Sequence, residues 1–171
     1  PMPSTEIERK TKTLIRKNFD GVERGEITLH EAEVIDDYGT AEDREAAREK
    51  DKERRWQDVP SSAIEQCTTA LCHLDPLSWR YYLPAYMIWS IENYRTSSSC
   101  SSDNTIYTLC PSDESLRSYQ ESRWRLLSPA QSHSAGWFLR YMAMDPDYAD
   151  AVVAQRGLTH WWGKFWQDAS K

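Results

Sequence analysis

The chain has 171 residues, 39% of them hydrophobic, and its 21 basic and 27 acidic side chains give a formal charge of −6. This length suits one domain with a sizeable core, and the acidic balance argues against a surface that binds nucleic acid or anionic lipid. No long apolar run predicts a membrane span, and the opening PMPSTEIERK lacks the apolar region of a signal peptide. We therefore expect a cytoplasmic protein without a nucleic-acid or membrane partner.

Charged and aromatic residues are distributed unevenly along the chain. Residues 1–60 hold 28 of the 48 charged side chains but only three of the 20 aromatic ones, Phe19, Tyr38 and Trp56. Because aromatic side chains bury large apolar areas, we expect the core in residues 61–171. Residues 1–60 are predicted to form charged amphipathic helices that pack on this core or project from it, within a single domain.

Two helices are predicted first. Apolar residues recur at helical spacing over about residues 5–18 and predict a first helix there. Thr28 and Glu31 form a capping box, in which each side chain satisfies a free N–H of the first turn. A short second helix follows from this box, with Gly39 as its C′ residue.

Two further helices are predicted between residues 40 and 74. Thr40 caps a charged helix over residues 41–55, with Trp56 as its anchor on the body of the protein. The segment 62–65, Ser-Ala-Ile-Glu, is a capping box for a fourth helix that ends near His73.

A fifth helix carries the most aromatic stretch, RYYLPAYMIW, at residues 80–89. Asp75 and Pro76 are typical of the N-cap and first residue of a helix. Pro84 removes a helical hydrogen bond and clashes with the preceding turn, so we expect the helix to kink or restart near Leu83.

The rest of the chain continues the helical pattern. Residues 95–115 have the composition of a loop, with at most one short strand over residues 105–109. A capping box at residues 128–131 begins another helix, Asp-Pro at 145–146 repeats the capping device, and the chain closes on LTHWWGKFW. We therefore predict a mainly α fold: a compact helical domain of about six or seven helices with at most one short hairpin.

Four segments of the chain carry a family resemblance. TLHEAEVIDDYG, RRWQDVP, RYYLPAYM and TIY together resemble an uncharacterised family of small, mostly bacterial proteins known only as a domain of unknown function. The similarity spans about Ile27 to Met142, and RYYLPAYM is its most specific element. The resemblance implies no activity, cofactor or catalytic residue. The chain departs from the family pattern at Cys110 and in the serine tract 97–102, where a shorter polar loop is expected.

The densest acidic element is HEAEVIDDYG, which places Glu33 and Asp37 on one helical face. It contains neither an HExxH pattern nor a calcium loop. We interpret it first as solvated helix surface with Glu31 committed to the cap, next as an acidic patch that faces a partner, and last as a metal site.

Catalytic signatures are absent from the sequence. No nucleophile elbow or nucleotide-binding glycine pattern occurs, and His73 with Asp75 is better interpreted as helix capping than as a dyad. The cysteines form no CxxC pair, although a disulfide between Cys100 and Cys110 would be possible in an oxidising compartment. We predict no catalytic residue, metal ion or cofactor, and lean against an enzyme.

The RYYLPAYMIW stretch supplies the first candidate binding residues: Arg80, Tyr81, Tyr82 and Tyr86. The preferred interpretation is core, with Arg80 paired to an acidic residue of the DDYG helix end, since buried polar groups need partners. The alternative is an aromatic-walled pocket beside Pro84 for a peptide or small ligand.

The C-terminal cluster supplies the other candidate binding residues: Trp161, Trp162 and Trp166. We expect this segment to dock on the core as a closing helix, and the alternative is an apolar patch for a partner.

Two functional hypotheses follow from the whole sequence. The first is an interaction module, an adaptor or neutralising protein that binds a protein partner through its acidic helices or the C-terminal aromatics. The second is a small-molecule-binding protein or small enzyme that uses the pocket beside Pro84.

Overall fold

The computed structural model describes residues 5–167, with side chains as far as Phe165, and every regular element within them is helical. The predicted mainly α class is therefore confirmed, and no strand occurs in this part of the chain. There are more and shorter helices than the six or seven predicted. The helices are α1 Thr5–Asn18, α2 Leu29–Asp36, α3 Ala41–Arg48, α4 Ser61–Gln66, α5 Ala70–His73, α6 Pro76–Asn93, α7 Ser101–Tyr107, α8 Glu114–Trp124, α9 Pro129–Ala143, α10 Ala151–Gly157 and α11 Gly163–Gln167.

The chain divides into two compact units. We call Gly21–Thr105 the central unit, and the combination of Pro1–Asp20 with Ile106–Lys171 the terminal unit. The expectation of a single domain with its core in residues 61–171 stays a prediction. No helix of residues 5–167 is long and apolar enough to span a membrane.

In the central unit, α2 begins and ends through local interactions. The Glu31 carboxylate accepts the Thr28 N–H at 3.2 Å, as the predicted capping box requires. At the other end, Gly39 N–H donates to the Val34 carbonyl at 2.9 Å, and Tyr38 adopts the left-handed φ of 57°. The predicted C′ glycine is therefore wrong: Tyr38 takes that position in a Schellman motif, and Gly39 follows it.

The next helix, α3, is shorter than predicted. Thr40 caps it as expected, accepting the Asp43 N–H at 3.1 Å, but it ends at Arg48 and not near residue 55. The chain leaves the helix so that Asp51 can turn inward and accept the His30 N–H at 2.8 Å. Trp56 follows in a short 3₁₀ turn and is buried, which confirms its predicted anchoring role.

The predicted fourth helix is broken into α4 and α5. It begins after Pro60, so the expected capping box at Ser62 does not form, and the backbone leaves helical geometry at Cys67 with ψ of 70°. The Tyr86 hydroxyl donates to the Cys67 carbonyl that this break releases. The second piece ends at His73, as predicted.

Hydroxyls of the serine-rich segment donate hydrogen bonds to the carbonyl groups at the end of α4. Ser101 Oγ donates to the Ile64 carbonyl at 2.6 Å, and Ser99 Oγ donates to the Glu65 carbonyl at 2.7 Å. These bonds position residues 101–107 as α7, so the predicted loop with a short strand at 105–109 is wrong there. A sequence that reads as loop by composition folds because its hydroxyls pair with helix carbonyls far along the chain.

The long helix α6 starts as predicted. The Asp75 carboxylate accepts the N–H groups of Leu77 and Ser78, each at 3.1 Å, and also that of Ile27 at 2.8 Å. The expected restart near Leu83 does not occur, because the helix continues through the buried Pro84 as far as Asn93. A single missing N–H is tolerated where packing surrounds the helix on all sides.

In the terminal unit, α1 occupies the predicted residues and packs on α9. Ser134 of α9 accepts the Asn18 side-chain amide at 2.9 Å and donates to the Leu14 carbonyl at 3.2 Å. The capping box of Ser128 and Gln131 at the start of α9 is confirmed. Large apolar and aromatic side chains of α9 are buried: Trp137, Phe138, Tyr141 and Met142.

Other connections in this unit differ from the sequence interpretation. Helix α8 was not predicted, and Asp113 caps it by accepting the Leu116 N–H at 3.3 Å. Asp145 accepts the Asp147 N–H in a turn and begins no helix, since α10 starts only at Ala151. A π-helical turn then joins α10 to α11.

The end of α2 yields a prediction about stability. Replacing Tyr38 by glycine should raise the free energy of unfolding by about 0.5–1 kcal/mol, because a left-handed φ strains any residue with a Cβ and this side chain is 96% exposed. Replacing Gly39 by alanine should lower it, since the added Cβ would lie 2.5 Å from Val34 Cγ1. Urea unfolding of both variants measures the two effects, and equal signs would contradict the assignment of the left-handed residue.

Candidate functional site

The central unit holds a carboxylate that is fully removed from solvent. Glu31 has 0% exposure, and one of its oxygens accepts Arg44 Nη2 at 2.8 Å and Arg48 Nη2 at 2.6 Å. Burial alone would raise the pKa of Glu31, but the hydrogen bonds from Arg48 and Arg44 lower it to about 2. Glu31 therefore serves the cap as predicted, and it is also the centre of a buried ion pair that the sequence did not indicate.

The two arginines determine which face of α3 points toward Glu31 and which face does not. Arg44 and Arg48 are four residues apart and point to Glu31. Successive helical residues are about 100° apart, so the positions 43, 46, 47 and 50 form a different face. Between Asp43 and Lys50, this second face carries only two alanines.

An open groove lies along that second face. The end of α2 and the connection that follows contribute Val34, Asp37 and Gly39 to its lining. The face of α3 contributes Asp43, Ala46, Ala47 and Lys50. We call this feature the α2–α3 groove. Its floor is apolar, its α2 end is acidic, and Tyr38 projects into solvent between two of its lining residues.

The remaining acidic residues of α2 bind groups of the same unit. Glu33 accepts the Thr69 N–H at 2.8 Å, and Asp36 pairs with His73 Nε2 at 2.9 Å. His73 thus pairs with Asp36, while Asp75 caps α6 and also accepts the Ile27 N–H, so the two residues form no dyad.

Of the predicted aromatic site residues, Tyr82 and Tyr86 use their hydroxyls within the protein. The Tyr82 hydroxyl donates to Glu53 Oε1 at 2.7 Å and accepts the Leu29 N–H at 3.3 Å, while Tyr86 donates to the Cys67 carbonyl. Burial and the neighbouring Glu53 raise the pKa of Tyr82 far above its usual range. Both rings are core residues of the central unit.

The other two predicted residues of this stretch, Arg80 and Tyr81, present unpartnered atoms. The Arg80 Nε and the Tyr81 hydroxyl are buried without a hydrogen-bond partner. The predicted ion pair of Arg80 with the DDYG segment does not form, because Asp36 is bound to His73 and no carboxylate among residues 5–167 pairs with Arg80. Burial raises the pKa of Tyr81 to about 12.

The predicted C-terminal cluster is split by the structure of the terminal unit. Trp162 is buried and donates its Nε1–H to the Leu109 carbonyl at 2.6 Å, so the expected docking is confirmed for this residue. The Trp161 ring lies 5.2 Å from that of Trp124, with the Lys164 ammonium 3.8 Å above it. The side chain of Trp166 lies outside the described residues.

The four cysteines lie in different environments: Cys67 and Cys110 are buried, and Cys72 and Cys100 are exposed. All four cysteines are free, so no disulfide joins Cys100 to Cys110. Burial raises the pKa of the Cys67 thiol to about 12, which makes this group unreactive. Within residues 5–167, no group of three or more His, Cys, Asp or Glu side chains is placed to hold a metal ion.

Sequence reasoning missed the α2–α3 groove. Its one signal is the pair Ala46-Ala47 inside a strongly charged segment, where small residues interrupt the row of long side chains. The alanine pair indicates a groove only when both arginines of α3 are known to point toward Glu31.

The buried ion pair predicts an acid-dependent loss of stability. A carboxylate whose pKa is lowered stabilises the fold above its usual pKa near 4.5, and this contribution disappears as the pH falls toward about 2. Glu31→Gln should lower the free energy of unfolding by about 3 kcal/mol at pH 7, and the difference from wild type should shrink between pH 4.5 and pH 2.5.

Urea unfolding at several pH values measures this effect. Glu42→Gln is the matched control, because Glu42 is exposed and lies on the same helical hairpin. A difference between wild type and Glu31→Gln that stays constant with pH would contradict the buried ion pair.

The comparisons with known proteins agree with the resemblance carried by the sequence motifs. No curated protein and no solved structure matches the chain significantly. The model of one protein family matches residues 8–166, which extends the recognised similarity toward both ends. The chain belongs to DUF6714, a family of unknown function.

Proposed function

We propose that the protein is an interaction module, an adaptor or neutralising partner acting in the cytoplasm, and that it binds another protein at the α2–α3 groove. The observation that supports this most directly is Tyr38. It is a large aromatic side chain, 96% exposed, held in a backbone conformation that glycine would adopt at lower cost. Local strain that folding does not require is a reason to look for a function.

The groove provides the surroundings that such an anchor needs. Tyrosine offers a large contact area with few rotatable bonds, which is why it is enriched where proteins bind each other. Val34, Ala46 and Ala47 give the groove an apolar floor, and Tyr38 lies in the chain between the lining residues Asp37 and Gly39. Asp37 and Asp43 supply a polar edge, which fits the usual arrangement of an apolar centre with a polar rim.

Photocrosslinking in the native host tests this function. A photoreactive phenylalanine analogue at position 38 should capture one partner that also copurifies in stoichiometric amount. Ala46→Gln, which fills the floor, should reduce the yield at least fivefold. Ala41→Gln is the matched control, because Ala41 is an exposed alanine of the same helix outside the groove.

A second label shows whether capture is specific to this surface. The same analogue at Tyr119, an exposed tyrosine of α8, should not capture that partner. Equal capture from both positions, or a yield unaffected by Ala46→Gln, would overturn the proposal.

A second candidate function is supported by a different observation. The buried hydroxyl of Tyr81 and the Nε of Arg80 lack partners, and both lie in the stretch predicted to line a pocket beside Pro84. A small polar ligand would satisfy them. The hydroxyls of Tyr82 and Tyr86 are already occupied, so such a ligand would meet only Arg80 and Tyr81.

A pair of phenylalanine variants separates the two tyrosines. Tyr82→Phe should lower the free energy of unfolding by about 1–2 kcal/mol, because it leaves the Glu53 carboxylate and the Leu29 N–H without their bonds to the hydroxyl. Tyr81→Phe should be neutral or stabilising, since it removes a buried hydroxyl that has no partner.

Thermal unfolding with and without the low-molecular-weight fraction of a host extract adds the ligand test. A rise in Tm that occurs in wild type and disappears in Tyr81→Phe would support the pocket. No shift in wild type would remove the second candidate.

A further inference from the structure

Acidic side chains outnumber basic ones around the α2–α3 groove, and this excess indicates the charge of a complementary partner. Residues 36–50 contain six carboxylates and three basic side chains. Two of the three basic groups, Arg44 and Arg48, are held by the buried Glu31. Lys50, at the far end of the groove, is the basic side chain of this segment that Glu31 does not hold.

The carboxylates at the α2 end have no such compensation. Asp37 lines the groove, and Glu42 directly precedes the lining residue Asp43. Both are exposed, and neither side chain has a hydrogen-bond or ion-pair partner among residues 5–167. Asp43 accepts only from its own cap residue, Thr40. A groove with an apolar floor and this rim is complementary to a segment that carries apolar side chains flanked by lysine or arginine.

The length of the groove indicates the form of that segment. Its lining extends from Asp43 in α3 to Lys50, two residues past the end of that helix, which is about 10 Å at the helical rise. This length corresponds to two turns of a partner helix. The alanines at positions 46 and 47 allow close approach, because their side chains end at Cβ.

We infer that the α2–α3 groove binds a basic amphipathic helical segment of another protein, with its apolar residues on the alanine floor and its cationic residues at Asp37 and Glu42. This inference rests on the proposed interaction function and narrows it to one class of partner. Exposed ion pairs contribute modestly to affinity, so their effect appears as a preference among segments and as a dependence on salt.

A pair of synthetic peptides tests the inference. The first has 14 residues, with leucines at helical spacing and lysines flanking them, and its twin has glutamate in place of every lysine. Fluorescence anisotropy of each labelled peptide with the full chain at 50 and 500 mM salt gives the affinities. The lysine peptide should bind at least tenfold more tightly than its twin at low salt and lose most of that preference at high salt.

Matched variants locate the charges responsible. Asp37→Asn with Glu42→Gln should weaken binding of the lysine peptide about fivefold, the effect of two exposed ion pairs. Glu6→Gln with Glu114→Gln removes the same net charge from exposed first-turn positions of α1 and α8 and should leave the affinity unchanged.

Several outcomes would overturn the inference. These are no binding of the lysine peptide, equal affinity for both peptides, an equal loss in both pairs of variants, or sedimentation showing that a second copy of the chain fills the groove. A partner captured at position 38 through an acidic or uncharged segment would also overturn it, while leaving the proposed interaction function intact.

Discussion

The buried carboxylate of Glu31 is the constraint on which the α2–α3 hairpin depends. A charge at 0% exposure is tolerable only if cations and donors surround it, and here Arg44, Arg48 and the Thr28 N–H do so. Because both guanidinium groups must reach one oxygen, α3 cannot rotate about its axis without breaking the pair. The ion pair therefore determines which side chains of α3 line the groove as well as which ones face inward.

Local sequence signals predicted the helix starts that depend on residues close together in the chain. Thr40, Asp75 and Ser128 cap their helices as expected, because a cap involves only the next three residues and operates wherever the chain is placed. The predicted helix boundaries were wrong where a hydrogen-bond partner far along the chain determines the local backbone. The break at Cys67 depends on Tyr86, 19 residues away, and α7 depends on serine hydroxyls that bind carbonyls more than 30 residues away.

The candidate site was predictable only in part for the same physical reason. The sequence indicated that RYYLPAYMIW is largely core, and the burial of Tyr81, Tyr82 and Tyr86 agrees with that interpretation. It could not indicate that Tyr82 binds Glu53, which lies outside any helix 29 residues earlier, or that Arg80 would lack the expected carboxylate. Polar partners in a core are chosen by tertiary geometry, whereas hydrophobic periodicity is a property of each helix alone.

The fold requires a glycine at position 39 but does not require a tyrosine at position 38. A Schellman motif needs a left-handed residue at C′, and glycine meets that need at the lowest cost. The next residue is already a glycine, and it is required there because any Cβ would collide with Val34. Folding thus accounts for Gly39 but gives no reason for a tyrosine at position 38, where the side chain is almost wholly in solvent. The strain of about 1 kcal/mol is small beside the cost of losing the Glu31 ion pair, so the hairpin can carry it. The residue at position 38 is aromatic, is energetically unfavourable for the isolated protein, and lies in the chain between two residues that line an apolar groove. These properties support the proposed contact with another protein.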